Sequence, residues 1–434
     1  MTEGRRRRTG WFGAIGVLAV AVLILGAGIG GLWRGWQPEV TGRAVPAETI
    51  LGTDGSPAPL AIRHVGEATS FSRSDDAVVA GVLADLGTFW SRTLPADFGK
   101  PFVPLTGGYS SIDATARSGS SRCVSTPDQI AGNAYFCPDG DSIVWDSAGL
   151  VPVLLGHYGA AGLTAAFAHE FGHAIQARIG PTVAERTAHP TQYPSLVIEA
   201  QGDCFAGAFL AWTVSGAAVH VRLPQSSMVR AVAPLLDFRD PIDTAAKDPS
   251  AHGLSLDRLS ALLTGFRRGA RACHSMTAGT LPPATLGRAS VSTSLSTSAA
   301  VPRFAGADAV DAAARQSVRA FAAGLPGTAA ADLPQTPLPA DVAAARPFGQ
   351  FARAATTALA TGHSITGTPV EAACFTGAWA ASVFGSVPSG SLGSWAGDAD
   401  EALDLIRARP GADFDELAGY ADGFARGWSA CAGR

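Results

Sequence analysis

The run from Gly162 to Ile179 is apolar and helix-compatible, yet it contains His169-Glu170-Phe171-Gly172-His173. No other stretch constrains the fold as tightly. On a helix, residues four apart share a face, so His169 and His173 can point two imidazoles at one Zn²⁺. Glu170 lies one residue along, near the same rim, where it can take a proton from water on the metal.

Catalytic zinc takes three protein ligands and keeps one open position, so a third ligand has to come from elsewhere in the chain. Leu196 to Trp212 has the spacing of a second buried helix, with Glu199 and Asp203 four apart on one face. Two carboxylates in so apolar a helix need compensating partners. Glu199 would complete a His₂Glu set for one zinc ion. Asp203 would accept from the distal N–H of a ligating His and fix its tautomer and orientation. The competing reading of Glu199 is a helix-start carboxylate favoured by the dipole.

The runs Ala166-Phe-Ala-His-Glu-Phe-Gly-His-Ala-Ile-Gln176 and Glu199-Ala-Gln-Gly-Asp-Cys-Phe-Ala-Gly207 resemble the helices A-H-E-x-G-H-x-x-Q and E-x-Q-A-D-C-x-A-G of a neutral zinc metallopeptidase family of bacteria, a membrane-anchored group of gluzincin type. Tyr135 to Asp146 resembles that family's strand beside the site. His252-Gly-Leu-Ser255, Arg258 and Gly265-Phe-Arg-Arg-Gly269 resemble its C-terminal helix. The similarity spans roughly residues 70 to 273. It implies zinc on His169, His173 and Glu199, Glu170 as general base, and a substrate-binding role for the strand 142–146. The chain departs from the pattern at Gly202, where the family usually has Ala; that weakens a helix and touches no ligand. A tetrahedral intermediate needs a donor opposite the metal. His252, in the family-like run, is the candidate, with a surface helix cap as its competing role; Tyr158 and Tyr193 are weaker candidates.

The rest of the composition sets the compartment. The chain has 434 residues, 47% apolar, with net charge −4. Outside the N-terminus no basic stripe appears, which argues against a nucleic-acid partner. Lysine occurs only at Lys100 and Lys247 against abundant Arg, Ala and Gly, the usage of a GC-rich, actinobacterial-type genome. Trp11 to Trp33 is uncharged and long enough to span a bilayer. Arg5 to Arg8 precede it, so the N-terminus is expected in the cytoplasm and the body outside, on a single-pass signal anchor. A cleaved signal peptide is the alternative, but no clear A-x-A site follows. Six cysteines suit the oxidising side.

Cys123 and Cys137 flank a short loop and form the simplest local pair. The other four follow an internal similarity. Cys204-Phe-Ala-Gly207 recurs as Cys374-Phe-Thr-Gly377, and Gly265-Phe-Arg-Arg-Gly269 before Cys273 recurs as Gly423-Phe-Ala-Arg-Gly427 before Cys431. The simplest pairing is Cys204 with Cys273 and Cys374 with Cys431. The second copy keeps His363 after Gly362, and Glu371 near the place of Glu199. It has Leu359 and Ala360 where His169 and Glu170 would be, so it cannot form a hydrolytic site.

The expected organisation is a basic N-terminus (1–10), a membrane anchor (11–33), a Pro/Gly/Ala-rich tether (34–70), a zinc metallopeptidase domain (71–273), a Ser/Thr/Ala/Pro-rich linker (274–302) and a helical degenerate repeat (303–434). The fold class is α+β: a zincin-like helical domain with a small sheet, then a mostly α module. The expected function is extracytoplasmic hydrolysis of a protein or peptide substrate. The competing class is a non-catalytic envelope scaffold whose zinc site is structural or vestigial. Neither heptads nor an exposed stripe indicates an oligomeric state.

Overall fold

The sheet explains why Ile143, Val144 and Trp145 are apolar in succession rather than alternating with polar residues. Four strands lie in the order β1 (Ile62–Val65), β2 (Gly108–Ile112), β4 (Ser142–Asp146), β3 (Ala134–Cys137). The β1–β2 and β2–β4 pairs are parallel, and β3 runs antiparallel to β4 with Phe136 opposite Ile143. Every residue of β4 is buried. Ile143 and Trp145 face the main core, and Val144 faces a smaller cluster with Val65, Ile112, Val124 and Ile130. A strand covered on both faces has no polar side to display. Its interior place also corrects one expectation. Both edges of β4 are already paired, so 142–146 cannot bind substrate by strand addition; among the described residues the edge strands of the sheet are β1 and β3.

The structure, a computed structural model, describes residues 60–66, 70–241, 244, 248, 250–281, 304–325, 349–384, 392–394 and 396–431. The basic N-terminus, the expected anchor at 11–33, most of the tether and most of the 274–302 linker lie outside the described residues.

The helices are α1 (Ser70–Phe98), α2 (Leu150–Ile179), α3 (Val183–Ala188), α4 (Ser195–Val214), α5 (Met228–Asp237), α6 (Ser255–Arg268), α7 (Ala270–His274), α8 (Ala307–Ala323), α9 (Gln350–Thr366), α10 (Pro369–Ser382), α11 (Ala396–Arg407) and α12 (Phe414–Arg426). The fold is therefore α+β, a small mixed sheet with a mostly helical remainder. On α1, the helical spacing of Val78, Val82, Leu86, Phe89 and Trp90 predicts a packing face; the last four are buried, and Val78 is partly buried against the same core. Helix α2 carries the H-E-x-x-H run and is broken by Gly159, whose φ of 67° lies in the left-handed region that favours glycine. Among the described residues α2 is the one helix long and apolar enough to cross a membrane, but half of its most apolar window is buried inside the protein.

The internal duplication is visible in the packing. Helices α4 and α6 touch backbone to backbone. A Cβ on Gly207 would fall inside the carbonyl of Leu262, and one on Gly265 inside the carbonyl of Cys204. Helices α10 and α12 repeat this with Gly377 against Tyr420 and Gly423 against Cys374. The third helix of each set approaches the same way. A Cβ on Gly172 of α2 would lie 3.1 Å from the Gly202 Cα, and one on Gly362 of α9 would lie 3.0 Å from the Ala372 Cα. Disulfides join Cys204 to Cys273 and Cys374 to Cys431, one in each module, and Cys123, in the loop before β3, to Cys137 at the end of that strand. Both modules contribute to one apolar core. The seam between them is polar and aromatic. Arg239 meets Asp404 at 2.6 Å, Arg267 meets Asp422 at 2.9 Å, and Phe266 packs edge-on against Phe414.

Candidate metal centre

Helices α2 and α4 cross where Gly172 faces Gly202, and this close approach brings three side chains together. His169 Nε2 lies 3.2 Å from His173 Nε2 and 3.2 Å from Glu199 Oε2; His173 Nε2 lies 3.5 Å from Glu199 Oε1. Tetrahedral ligands at zinc distances of 2.0–2.1 Å stand about 3.3–3.4 Å from one another. The two imidazole nitrogens have that spacing, and the carboxylate reaches each of them at a similar distance through a different oxygen, so the group could hold a metal ion.

The partners of the two imidazoles select the nitrogens that are free to ligate. Asp203 Oδ1 is 2.7 Å from His169 Nδ1, so Nδ1–H donates and Nε2 keeps its lone pair. His173 Nδ1 donates to Gln176 Oε1 at 2.9 Å, which leaves its Nε2 free as well. Gln176 in turn donates to the Ile198 carbonyl and to Gln201 Oε1, and Gln201 donates to the Met276 carbonyl. The chain from ligand to backbone has no open end.

Asp203 is fully buried, and Arg258 of α6 compensates its charge. Nε and Nη2 of Arg258 grip the two carboxylate oxygens at 2.9 Å each, and Nη1 donates to the Phe238 carbonyl. Burial opposes ionisation of Asp203, but Arg258 and then His169 outweigh it and hold the carboxyl below its usual range. Burial would likewise push His169 down; the carboxylates of Asp203 and Glu199 prevail and lift it to about 10. His173 is raised against burial by Glu199. Glu199 is held well below the usual carboxylate range because His173 and His169 overcome its desolvation.

Glu170 lies outside the ligand triplet. Its Oε2 accepts the backbone N–H of Phe136 at 3.1 Å, which ties it to the edge strand β3. His252 sits on a loop fixed by Asp240, which accepts the N–H groups of His252 and Gly253 at 2.7 Å each. Its ring is half exposed, and the nearby Asp240 carboxylate raises its pKa. It borders a recess shared with Leu196 and Ala200 of α4 and Arg258 of α6, within electrostatic reach of Glu199 and His169. Tyr158 is placed elsewhere: it lies beyond the Gly159 kink and donates to Asp237 at 3.0 Å. The Tyr193 hydroxyl accepts from Gln192.

Gly202 turns out to be closer to the ligands than its sequence position implied. A Cβ there would stand 3.1 Å from the His169 ring and 3.3 Å from that of His173, so the departure from Ala relieves the imidazoles as well as weakening a helix. In the second module Glu371 stands three residues before its cysteine, where Glu199 stands five before. The crossing contacts set Ala372 opposite Gly362, as Gly202 is set opposite Gly172, so the place of Glu199 falls on Pro369. Glu371 sits at the start of α10, where its N–H donates to the capping hydroxyl of Thr368 and its carboxylate accepts from it. Gln176, Gln201, Arg258 and the Phe136 N–H were given no role from sequence. The spacing of Gln176 from His173 puts it on the ligand face, and that was the available signal.

No family model matches this chain, and neither a curated protein nor a solved structure does.

Proposed function

We propose that the chain is a membrane-anchored, extracytoplasmic zinc metallopeptidase that hydrolyses peptide bonds in a protein or peptide substrate. The observation that carries this reading is the tetrahedral spacing of His169, His173 and Glu199 beside a carboxylate, Glu170, left outside the triplet. Two imidazoles and one carboxylate suit zinc and leave a fourth position open. When bound, the metal lowers the pKa of a coordinated water toward about 7 and polarises a carbonyl. Glu170 takes the proton of the nucleophile and returns it to the leaving amine. The Phe136 N–H, which donates to Oε2, aims that carboxylate. His252, kept charged to higher pH by Asp240, is the donor candidate for the developing oxyanion. The Trp11–Trp33 stretch and three disulfides support an anchored protein on the oxidising side.

The test is peptide hydrolysis by the zinc-loaded full chain beside Glu170→Gln. Cleavage that falls by about 10²–10⁴ in the variant, with zinc content unchanged, is the expected result. A zinc-loaded wild type that cleaves no member of a broad peptide library would reject the peptidase reading.

A further inference from the structure

Helix α6 begins without a capping side chain of its own. Leu254 occupies the N-cap position with φ −83° and ψ 162°, a backbone suited to a cap, but its side chain cannot accept a hydrogen bond. The N–H groups of Ser255 and Leu256 donate instead to the two oxygens of Asp400, at 2.9 Å each. Asp400 is 1% exposed and lies on α11, in the second module. The module without a complete ligand set therefore caps a helix of the module that has one.

That helix carries Arg258. From Asp400 an unbroken chain of contacts runs to the metal ligands: the α6 N-terminus, Arg258 one turn in, both oxygens of Asp203, and Nδ1 of His169. Arg239 ties the same end of α6 to α11, with Nη1 at 3.0 Å from Ser255 Oγ and 2.6 Å from Asp404. Ser255 Oγ also donates to the Leu236 carbonyl. A bidentate arginine clamp tolerates little displacement, because both its hydrogen bonds depend on the same plane. We propose that the second module is a brace for the metal centre, and that Asp400 is a positioning residue that sets the His169 imidazole through α6, Arg258 and Asp203. The inference rests on the metal reading above and assigns the second module its part in it.

The experiment measures zinc affinity of the full chain by competition with a chromophoric chelator, together with the visible spectrum of the cobalt-substituted protein. Three proteins are compared: wild type, Asp400→Ala, and Asp400→Ala with Leu254→Asp, which gives α6 a cap of its own. Removing an outer partner of a ligating histidine costs about 10–100-fold in metal affinity. Asp400→Ala is expected near the lower end, about tenfold weaker, with a shifted cobalt spectrum; the double variant should regain both. If Asp400→Ala does not fold, Asp400→Asn, with one acceptor oxygen for two N–H groups, should show a smaller loss in the same direction. Lower thermal stability with unchanged zinc affinity and cobalt spectrum would overturn the proposal and leave the metal site standing. A wild type that takes up no zinc would overturn the metal reading and the brace with it.

Discussion

Helices α2, α4 and α6 cross one another at the same points as α9, α10 and α12, and the contents of the two crossings differ. Both sets meet at paired glycines, both carry one disulfide from the Cys-Phe helix, and α6 and α12 both stop at a glycine with φ near 73–74°. Where the first set holds His169, Glu170 and Asp203, the second has Leu359, Ala360 and Ala373, all buried. Pro369 takes the place of Glu199, and His363 is turned out to solvent. Glu416 stands in the place of Arg258 and pairs with Arg409 instead. The triad of helices thus holds together without the ligands. Buried charges are costly even when paired, so the polar set of the first module is not there for stability.

The largest expected effect tests whether the two crossings are equivalent. Gly265→Ala and Gly423→Ala each drive a methyl group into a backbone carbonyl that has nowhere to move. Each should destabilise the chain by about 3 kcal/mol or more, read by denaturant unfolding. A severe loss in one and none in the other would break the equivalence. Next come Arg258→Ala and Glu416→Ala, at matching positions. The first leaves Asp203 buried and unpaired and should cost about 3–5 kcal/mol; the second strands Arg409. Both should lower the unfolding midpoint, but only Arg258→Ala should weaken zinc binding. Equal zinc affinity in both variants would remove Arg258 from the site.

How much of this was readable in the sequence follows from the kind of information a helix encodes. Spacing along α2 and α4 puts His169 with His173 and Glu199 with Asp203 on shared faces, and those residues do meet. The repeated Cys-Phe-x-Gly and Gly-Phe-x-x-Gly runs pointed to the cysteine pairs that form. Spacing says nothing about which backbone groups of a distant strand face outward, so the Phe136 N–H and the interior place of β4 were not readable. Nor does it show that Asp203 shares its carboxylate between His169 and an arginine 55 residues later. That arrangement exists only once α6 crosses α4 at Gly207 and Gly265.

The smallest effect concerns the seam between the modules. Burial raises the Asp400 carboxyl to about 7, against the pull of Arg239 and two backbone N–H groups. In the unfolded chain the same group releases its proton near pH 4. The folded state therefore binds the extra proton between those values, and stability falls as pH rises from about 4 through about 7. Relative to Asp400→Asn, the wild type should lose stability across that window and change little above or below it. Unfolding curves of the two proteins that stay parallel with pH would show that Asp400 is ionised throughout.

The most direct measurement is zinc stoichiometry of the purified full chain beside its Glu199→Ala variant, after metal reconstitution. About one zinc per wild-type chain, weakened or lost in the variant, is the expected result for a His₂Glu site. No zinc on the wild type would contradict the metal centre itself, and equal zinc on both proteins would contradict Glu199 as the third ligand.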